Sequence, residues 1–163
     1  MIGFLAGCIL AIVLDPKKKY VWNLEEIVSY FNTSVYHKLP SLPCDPSYSI
    51  HCIQSLLADM DFSCQWYILS IAIQHPSLNL FHQEIKKYIS KQCDLKLAKP
   101  LLTSDFRLPS PSNKIGLIIV IDIGFNSRTS LLEAASYIRG LPCIEKLILL
   151  APNHNIPPEF NDV

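Results

Sequence analysis

The stretch that decides the fold is Lys114–Pro152, KIGLIIVIDIGFNSRTSLLEAASYIRGLPCIEKLILLAP. Ile115–Ile123 is an almost unbroken run of Ile, Val and Leu, which is typical of a strand covered on both faces of a parallel sheet. Gly124–Ser127 supplies turn residues, and either Ser127 or Thr129 is expected to cap a following helix. This part of the chain therefore predicts a strand, a turn and the start of a helix.

The rest of that stretch completes a β-α-β unit. Four apolar residues recur at helical spacing: Leu131, Leu132, Ala135 and Ile138. Gly140–Pro142 ends the pattern, and Ile144–Leu150 is apolar enough for a second strand. Consecutive strands joined through a helix are parallel and their crossover is right-handed. The sequence thus predicts an α/β fold.

Composition narrows the possible functions. Fourteen basic and 14 acidic residues give a net charge of zero, and the basic residues form no dense cluster beyond Lys17–Lys19. A nucleic-acid partner is therefore not expected. The six cysteines lie mostly within apolar runs and form no C-x-x-C pair, so we expect buried, reduced thiols rather than a disulfide framework.

The N-terminal segment is expected to meet a membrane. Ile2–Leu14 is uncharged and mostly apolar, but as a helix it is about 20 Å long against a hydrocarbon core of about 30 Å. It lacks the basic start and A-x-A site of a signal peptide. We interpret residues 1–19 as a membrane helix, truncated or degenerate at its beginning, with a basic flank that places everything after residue 16 in the cytoplasm. That flank consists of Lys17, Lys18 and Lys19.

Small residues recur on one face of this predicted membrane helix. Gly3, Gly7 and Ala11 follow the small-xxx-small spacing that lets helices approach closely in lipid. The alternative is that such residues are common in any membrane helix. The pattern favours a homo-oligomer formed through this helix.

The middle of the chain divides into short elements and linkers. Asn23 is expected to cap a helix whose apolar stripe is Leu24, Ile27, Val28 and Phe31. A proline-rich linker is expected over His37–Ser49, followed by a helix over Ser49–Met60 and a strand over Trp66–Ile73. A second helix is expected over Leu78–Lys91. Asp94–Asn113 is expected to be mostly irregular, with a short strand around Leu101–Leu102. The predicted organisation is a membrane segment (1–19), a juxtamembrane helix and linker (20–48), an α/β domain of three or four parallel strands with flanking helices (49–153), and a disordered tail (154–163).

This order of elements resembles the C-terminal half of the bacterial polysaccharide copolymerases, or chain-length determinants, whose larger members end in a tyrosine autokinase domain. The matching juxtamembrane residues are Val21, Asn23, Glu25, Glu26, Ile27 and Pro40. The closing β-α-β unit is similar through Thr129, Leu132, Ala135 and Asn153. The resemblance implies a P-loop NTPase-like domain behind a membrane helix.

The nucleotide loop of that family is missing. A phosphate-binding loop needs glycines whose amides surround the phosphates, a Lys and a Ser or Thr for magnesium. Gln74–Asn79 (QHPSLN) contains no Gly and no Lys, and Pro76 removes a donor. Asp105 faintly matches the family's second acidic motif, but the first Asp of that motif is absent and Asp105 is more simply a loop aspartate. Asp122 could stand for the Walker B aspartate but would have no phosphate loop to serve.

The cysteines and histidines of the middle of the chain suggest two further kinds of site, a zinc site and a nucleophilic catalytic site. Cys44, His51, Cys52 and Cys64 invite a zinc site, but their spacing does not match paired knuckles. A Cys64–His75 pair could support nucleophilic catalysis, yet no motif supplies an oxyanion hole or an orienting carboxylate. The charged residues Arg128, Glu133 and Arg139 are most simply an exposed helix face. We therefore expect no cofactor, no metal and no catalytic residue.

The expected protein is a non-catalytic, degenerate P-loop module, anchored to the bacterial inner membrane, of a protein that controls polysaccharide chain length and export. Its expected partners are the membrane, copies of itself and the polymerase and export machinery. The alternatives are a divergent α/β enzyme with an unrecognised active site at the strand C-termini, and a truncated gene remnant without independent activity.

Overall fold

The computed structural model describes residues 19–39, 46–72, 78–89, 94–108, 114–121, 123–141 and 144–152. These residues form four helices and five strands. The helices are α1 (Leu24–Phe31), α2 (Pro46–Asp59), α3 (Leu78–Tyr88) and α4 (Arg128–Arg139). The strands are β1 (Tyr36–Leu39), β2 (Gln65–Ser70), β3 (Leu95–Leu97), β4 (Ile115–Val120) and β5 (Ile144–Pro152).

The five strands form one parallel sheet in the order β1-β5-β4-β2-β3. Central strand β4 pairs with β2, where Ser70 lies opposite Val120, and with β5, where Leu150 lies opposite the same residue. Each residue of β4 is buried. The prediction of a two-sided strand is confirmed for Ile115–Val120, whereas Ile123, the last residue of the predicted run, lies in a turn.

Alternate side chains of β4 enter two separate cores, because successive residues of a strand point to opposite faces. Ile115, Leu117 and Ile119 pack in one cluster with the apolar residues of α1 and α4. Ile118 and Val120 pack in the other with those of α2 and α3. The result is a three-layer α/β unit with two helices on each face of the sheet, compatible with a P-loop-like fold.

Local sequence explains the helix boundaries. The Asn23 side chain accepts a hydrogen bond from the Glu25 amide at 2.9 Å and begins α1. Of the two residues proposed to cap α4, Ser127 does so, since its hydroxyl accepts from the Ser130 amide at 3.1 Å. Gly140 follows the last residue of α4 with right-handed backbone angles.

Several predicted boundaries were wrong. The sheet has five strands rather than three or four, because residues 36–39 of the predicted linker region form β1 beside β5. Pro46–Ser49, also assigned to that linker, opens α2. The short strand of the Asp94–Asn113 region is β3, whereas Leu101–Leu102 forms a turn.

One residue of the predicted α4 stripe was also misplaced. Leu132 is 47% exposed, and Ala134 takes the buried position instead. The buried stripe of α4 is Leu131, Ala134, Ala135 and Ile138. Leu132 therefore lies on the outer face of the helix.

The predicted membrane segment, apart from Lys19, lies outside the described residues, as do the tail and the residues Gly3, Gly7, Ala11, Lys17 and Lys18. Among the helices that the structure describes, none combines the length and apolarity needed to cross a bilayer. Lys19 is exposed, and its ammonium lies 5.4 Å from the centre of the Tyr20 ring.

Candidate functional site: the carboxyl edge of the sheet

In open parallel sheets, ligands bind beyond the carboxyl ends of the two neighbouring strands from which the chain leaves in opposite directions. In this sheet those two strands are β2 and β4. From β2 the chain continues to β3 on one side, and from β4 it continues to β5 on the other. Such a reversal opens a crevice beyond the strand ends. Residues 73–77 and Asp122, which follow these two strands, lie outside the described residues. The candidate site is therefore defined by the described residues that surround these two segments.

Ser70 is a polar residue that the sequence analysis overlooked. It ends β2 at this crevice, is 3% exposed, and its hydroxyl has no hydrogen-bond partner. A buried hydroxyl without a partner is destabilising by about 1–3 kcal/mol. The sequence signal was present, since Ser70 interrupts an otherwise apolar run between Trp66 and Ile73.

The segment before α1 is held against the turn after β4. Tyr20 forms an isolated antiparallel bridge with Ser127. The Gly124 amide donates to the Val21 carbonyl at 2.8 Å. Gly124 has a φ of +84°, and a Cβ there would lie 2.6 Å from the Trp22 ring. This turn therefore requires glycine for both its backbone conformation and its close contact with Trp22.

A three-residue polar network joins α1 to α4. Arg128 donates from Nε and Nη2 to the two carboxylate oxygens of Glu26 at 2.9 and 3.2 Å, and the Tyr30 hydroxyl also donates to Glu26. These hydrogen bonds, that of Arg128 foremost, lower the pKa of Glu26 below its ordinary 4.5, and the bond to Glu26 raises the pKa of Tyr30. The prediction that Arg128 is simply an exposed residue was wrong, whereas Glu133 and Arg139 are exposed.

A groove of about 220 Å³ opens beside the N-terminus of α1. It brings one acid, one base and two aromatic residues together at this edge of the sheet. Its lining is Trp22, Asn23, Leu24, Glu25, Tyr36, Lys38 and Ile123. The side chains of Glu25 and Lys38 are exposed, so the groove offers mixed charge beside aromatic surface rather than a set of groups converging on a reacting atom.

The residues considered for zinc are dispersed. Cys64 is 3% exposed in the α2/α3 core, and burial raises the pKa of its thiol. The Cys52 thiol lies 4.0 Å from the Lys38 carbonyl oxygen, and His51 is exposed. Cys44 lies outside the described residues. Within the described ranges, no three His, Cys, Asp or Glu residues are grouped as metal ligands would be.

The catalytic candidates are placed as follows. His75 and Asp122 lie outside the described residues. His82 lies on α3 with its Nε2 3.3 Å from the Leu95 carbonyl oxygen. Asp105 is exposed and pairs with the Lys99 ammonium at 3.0 Å, which lowers the pKa of the carboxyl group. The raised pKa of Cys64 disfavours the thiolate that nucleophilic catalysis would need.

The described residues therefore form a three-layer α/β unit with a parallel sheet, and the candidate site lies at the carboxyl edge of that sheet. No family model, curated protein or solved structure matches the chain. Its function is therefore inferred from its own residues and geometry.

Proposed function

We propose that the chain is the non-catalytic cytoplasmic part of a protein that is anchored in the bacterial inner membrane and controls polysaccharide chain length and export. The polysaccharide role in this proposal rests on the sequence resemblance given above. The observation that carries the non-catalytic part is Gln74–Asn79, which follows β2 and extends into the first turn of α3. It has neither the glycines nor the lysine that a phosphate loop requires. The α/β fold is compatible with a P-loop-like domain, and this segment lacks the residues for nucleotide binding.

Folding and nucleotide binding depend on different residues in such a domain. The apolar strands β2, β4 and β5 supply the two cores, while phosphate binding would depend on the loop between β2 and α3. Loss of the loop therefore leaves a stable unit that serves as a docking or spacing element beside the polymerase and export machinery.

The anchor in this proposal is Ile2–Leu14, followed by the basic flank Lys17–Lys19. The flank keeps the α/β unit on the cytoplasmic side. Gly3, Gly7 and Ala11 let copies of the helix pack closely, so that the protein acts as a homo-oligomer.

The proposal is tested in a bacterium that makes the protein, by deleting the gene and separating its surface polysaccharide by length on gels. We expect the length distribution to change and the wild-type gene to restore it. Gly7→Leu should fail to restore it because a large side chain separates packed helices. Ile9→Leu, on the other face, is the matched control and should restore it. An unchanged distribution after deletion would refute the proposal.

A second candidate, a divergent α/β enzyme, is favoured by the unpartnered hydroxyl of Ser70 beside the crevice. A ligand group that reaches into the sheet would satisfy this hydroxyl. Isothermal titration with ATP·Mg and with sugar nucleotides separates the two functions. Micromolar binding that is lost in Ser70→Ala would support the enzyme.

A further inference from the structure

We propose that the carboxyl-edge patch, defined as Lys19, Tyr20, Phe125 and Lys38, lies against the anionic surface of the membrane that holds the anchor, with Phe125 inserted at the lipid–water interface. This inference rests on the membrane anchorage in the proposed function. Its first support is exposure. Phe125 is 63% exposed, more than any other large apolar side chain among the described residues.

The second support is where the preceding chain joins the domain. Tyr20 pairs with Ser127, and the Val21 amide donates to the Asn126 carbonyl at 3.4 Å. Phe125 lies within the turn that makes these contacts. The chain arriving from residues 1–18 is therefore fixed to the same turn that exposes Phe125.

The third support is the short distance to the apolar segment. Five residues lie between Leu14 and Tyr20, and even fully extended this connection spans only about 20 Å. The interfacial layer of a bilayer takes up roughly 6 Å of that distance on each side. If Leu14 ends the buried part of the anchor, the carboxyl edge of the sheet has to lie close to the headgroups.

The chemistry of the patch suits an anionic lipid surface. Tyrosine is enriched where protein meets headgroups, and segments that lie in the interface combine phenylalanine on the apolar side with lysine on the polar side. Here the Lys19 ammonium lies beside the Tyr20 ring. Lys38 is exposed at the same edge. Two acids near this patch lie among the residues that the structure describes. The carboxylate charge of Glu26 is compensated by its bidentate pair with Arg128, and Glu25 is exposed and opposes the lysines.

The molecule contains a matched control at the other end of the sheet. Phe62 lies in the turn between α2 and β2, at the amino edge, and is 49% exposed. It is also an exposed phenylalanine, although less exposed than Phe125, and it lies at the edge of the sheet away from the proposed bilayer. Any nonspecific affinity of an exposed phenylalanine for lipid would affect both positions equally.

The test uses the full chain reconstituted in vesicles of phosphatidylglycerol and phosphatidylcholine whose acyl chains are brominated. Flotation first measures association with lipid. Phe125→Trp and Phe62→Trp then report the quenching of the added tryptophan, with the wild-type signal of Trp22 and Trp66 subtracted. We expect quenching at position 125 to exceed that at position 62 by about twofold or more, and to fall when phosphatidylglycerol is omitted.

The outcomes are distinct. Protein that floats with equal quenching at both positions overturns the patch but leaves the anchor. Protein that does not float overturns both the anchor and the patch. If the Trp variants do not fold, the wild-type chain is photolabelled with diazirine lipid. Label on the peptide around Phe125 and not on that around Phe62 supports the proposal, and the reverse or an even distribution overturns it.

Discussion

Gly116 is the position where a single methyl group should be most costly. It lies in β4 opposite Trp66 of β2, and a Cβ there would be 2.5–2.6 Å from three atoms of the indole ring. Trp66 is fully buried, and its ring N–H donates to the Asp61 carbonyl at 2.8 Å, so the ring cannot move aside freely. Such overpacking costs about 1–3 kcal/mol.

A smaller opposing effect comes from the unfolded chain. Replacing glycine by alanine restricts that chain and returns about 0.4–1 kcal/mol. When the packing cost is at the upper end of its range, the gain from the unfolded chain leaves a net loss of about 2 kcal/mol in the free energy of unfolding of Gly116→Ala. Such a loss should lower the melting temperature by roughly 4–8 °C. Thermal unfolding followed by circular dichroism measures this change.

Gly140→Ala is the matched control, because Gly140 has a φ of −80° after α4 and a Cβ there would meet only the carbonyl oxygens of the preceding turn, at 3.3 Å or more. The control should be neutral or slightly stabilising. Equal melting temperatures for Gly116→Ala and wild type would refute the packing of Trp66 against Gly116.

Three further changes probe α4 and the carboxyl edge. Ser127→Ala removes the cap of α4 and should lower the free energy of unfolding in urea by about 1 kcal/mol. Thr129→Ala, at an exposed residue inside the helix, should lower it by less than half as much. Equal losses of stability in the two variants would contradict the assigned cap. Ser70→Ala removes a buried hydroxyl without a partner and should be neutral or stabilising by up to about 1 kcal/mol; clear destabilisation would mean that the hydroxyl makes a favourable interaction. The pKa of Glu26 is lowered in the folded state, so its contribution to stability is present above its ordinary value of 4.5 and is lost as pH falls below it. Glu26→Gln lacks the charge that Arg128 binds. As pH is lowered below about 5, the urea midpoint of this variant should therefore decrease less steeply than that of wild type. Identical dependence of the two midpoints on pH would contradict the role of this pair.

The apolar runs were sufficient to predict the centre of the fold. β4 and β5 followed from segments rich in Ile, Val and Leu, and α1 followed from Asn23 and the apolar spacing after it. Local chemistry decides these elements, because both strand faces must be covered and the first helical amides need a cap.

β1 could not be predicted in the same way. Its sequence YHKL has no alternation of apolar and polar residues, and Tyr36 and Lys38 are exposed. The strand forms because the edge of β5 offers unpaired backbone groups, which is a tertiary effect. Leu132 was misplaced for a related reason: the choice between two adjacent apolar residues depends on the angle at which α4 meets the sheet.

The candidate site was the least accessible to sequence reasoning. The absence of glycine and lysine from Gln74–Asn79 can be read from the sequence. The pairing of Arg128 with Glu26 cannot, because it joins residues far apart in the chain. The exposure of Phe125 likewise depends on the turn fixed by Gly124 and Tyr20.

The central proposal is that this α/β unit does not bind nucleotides. Isothermal titration of the folded chain with ATP·Mg tests it most directly. We expect no saturable heat up to about millimolar nucleotide, where an interaction would be worth only about 4 kcal/mol. Saturable binding with a micromolar Kd would contradict it.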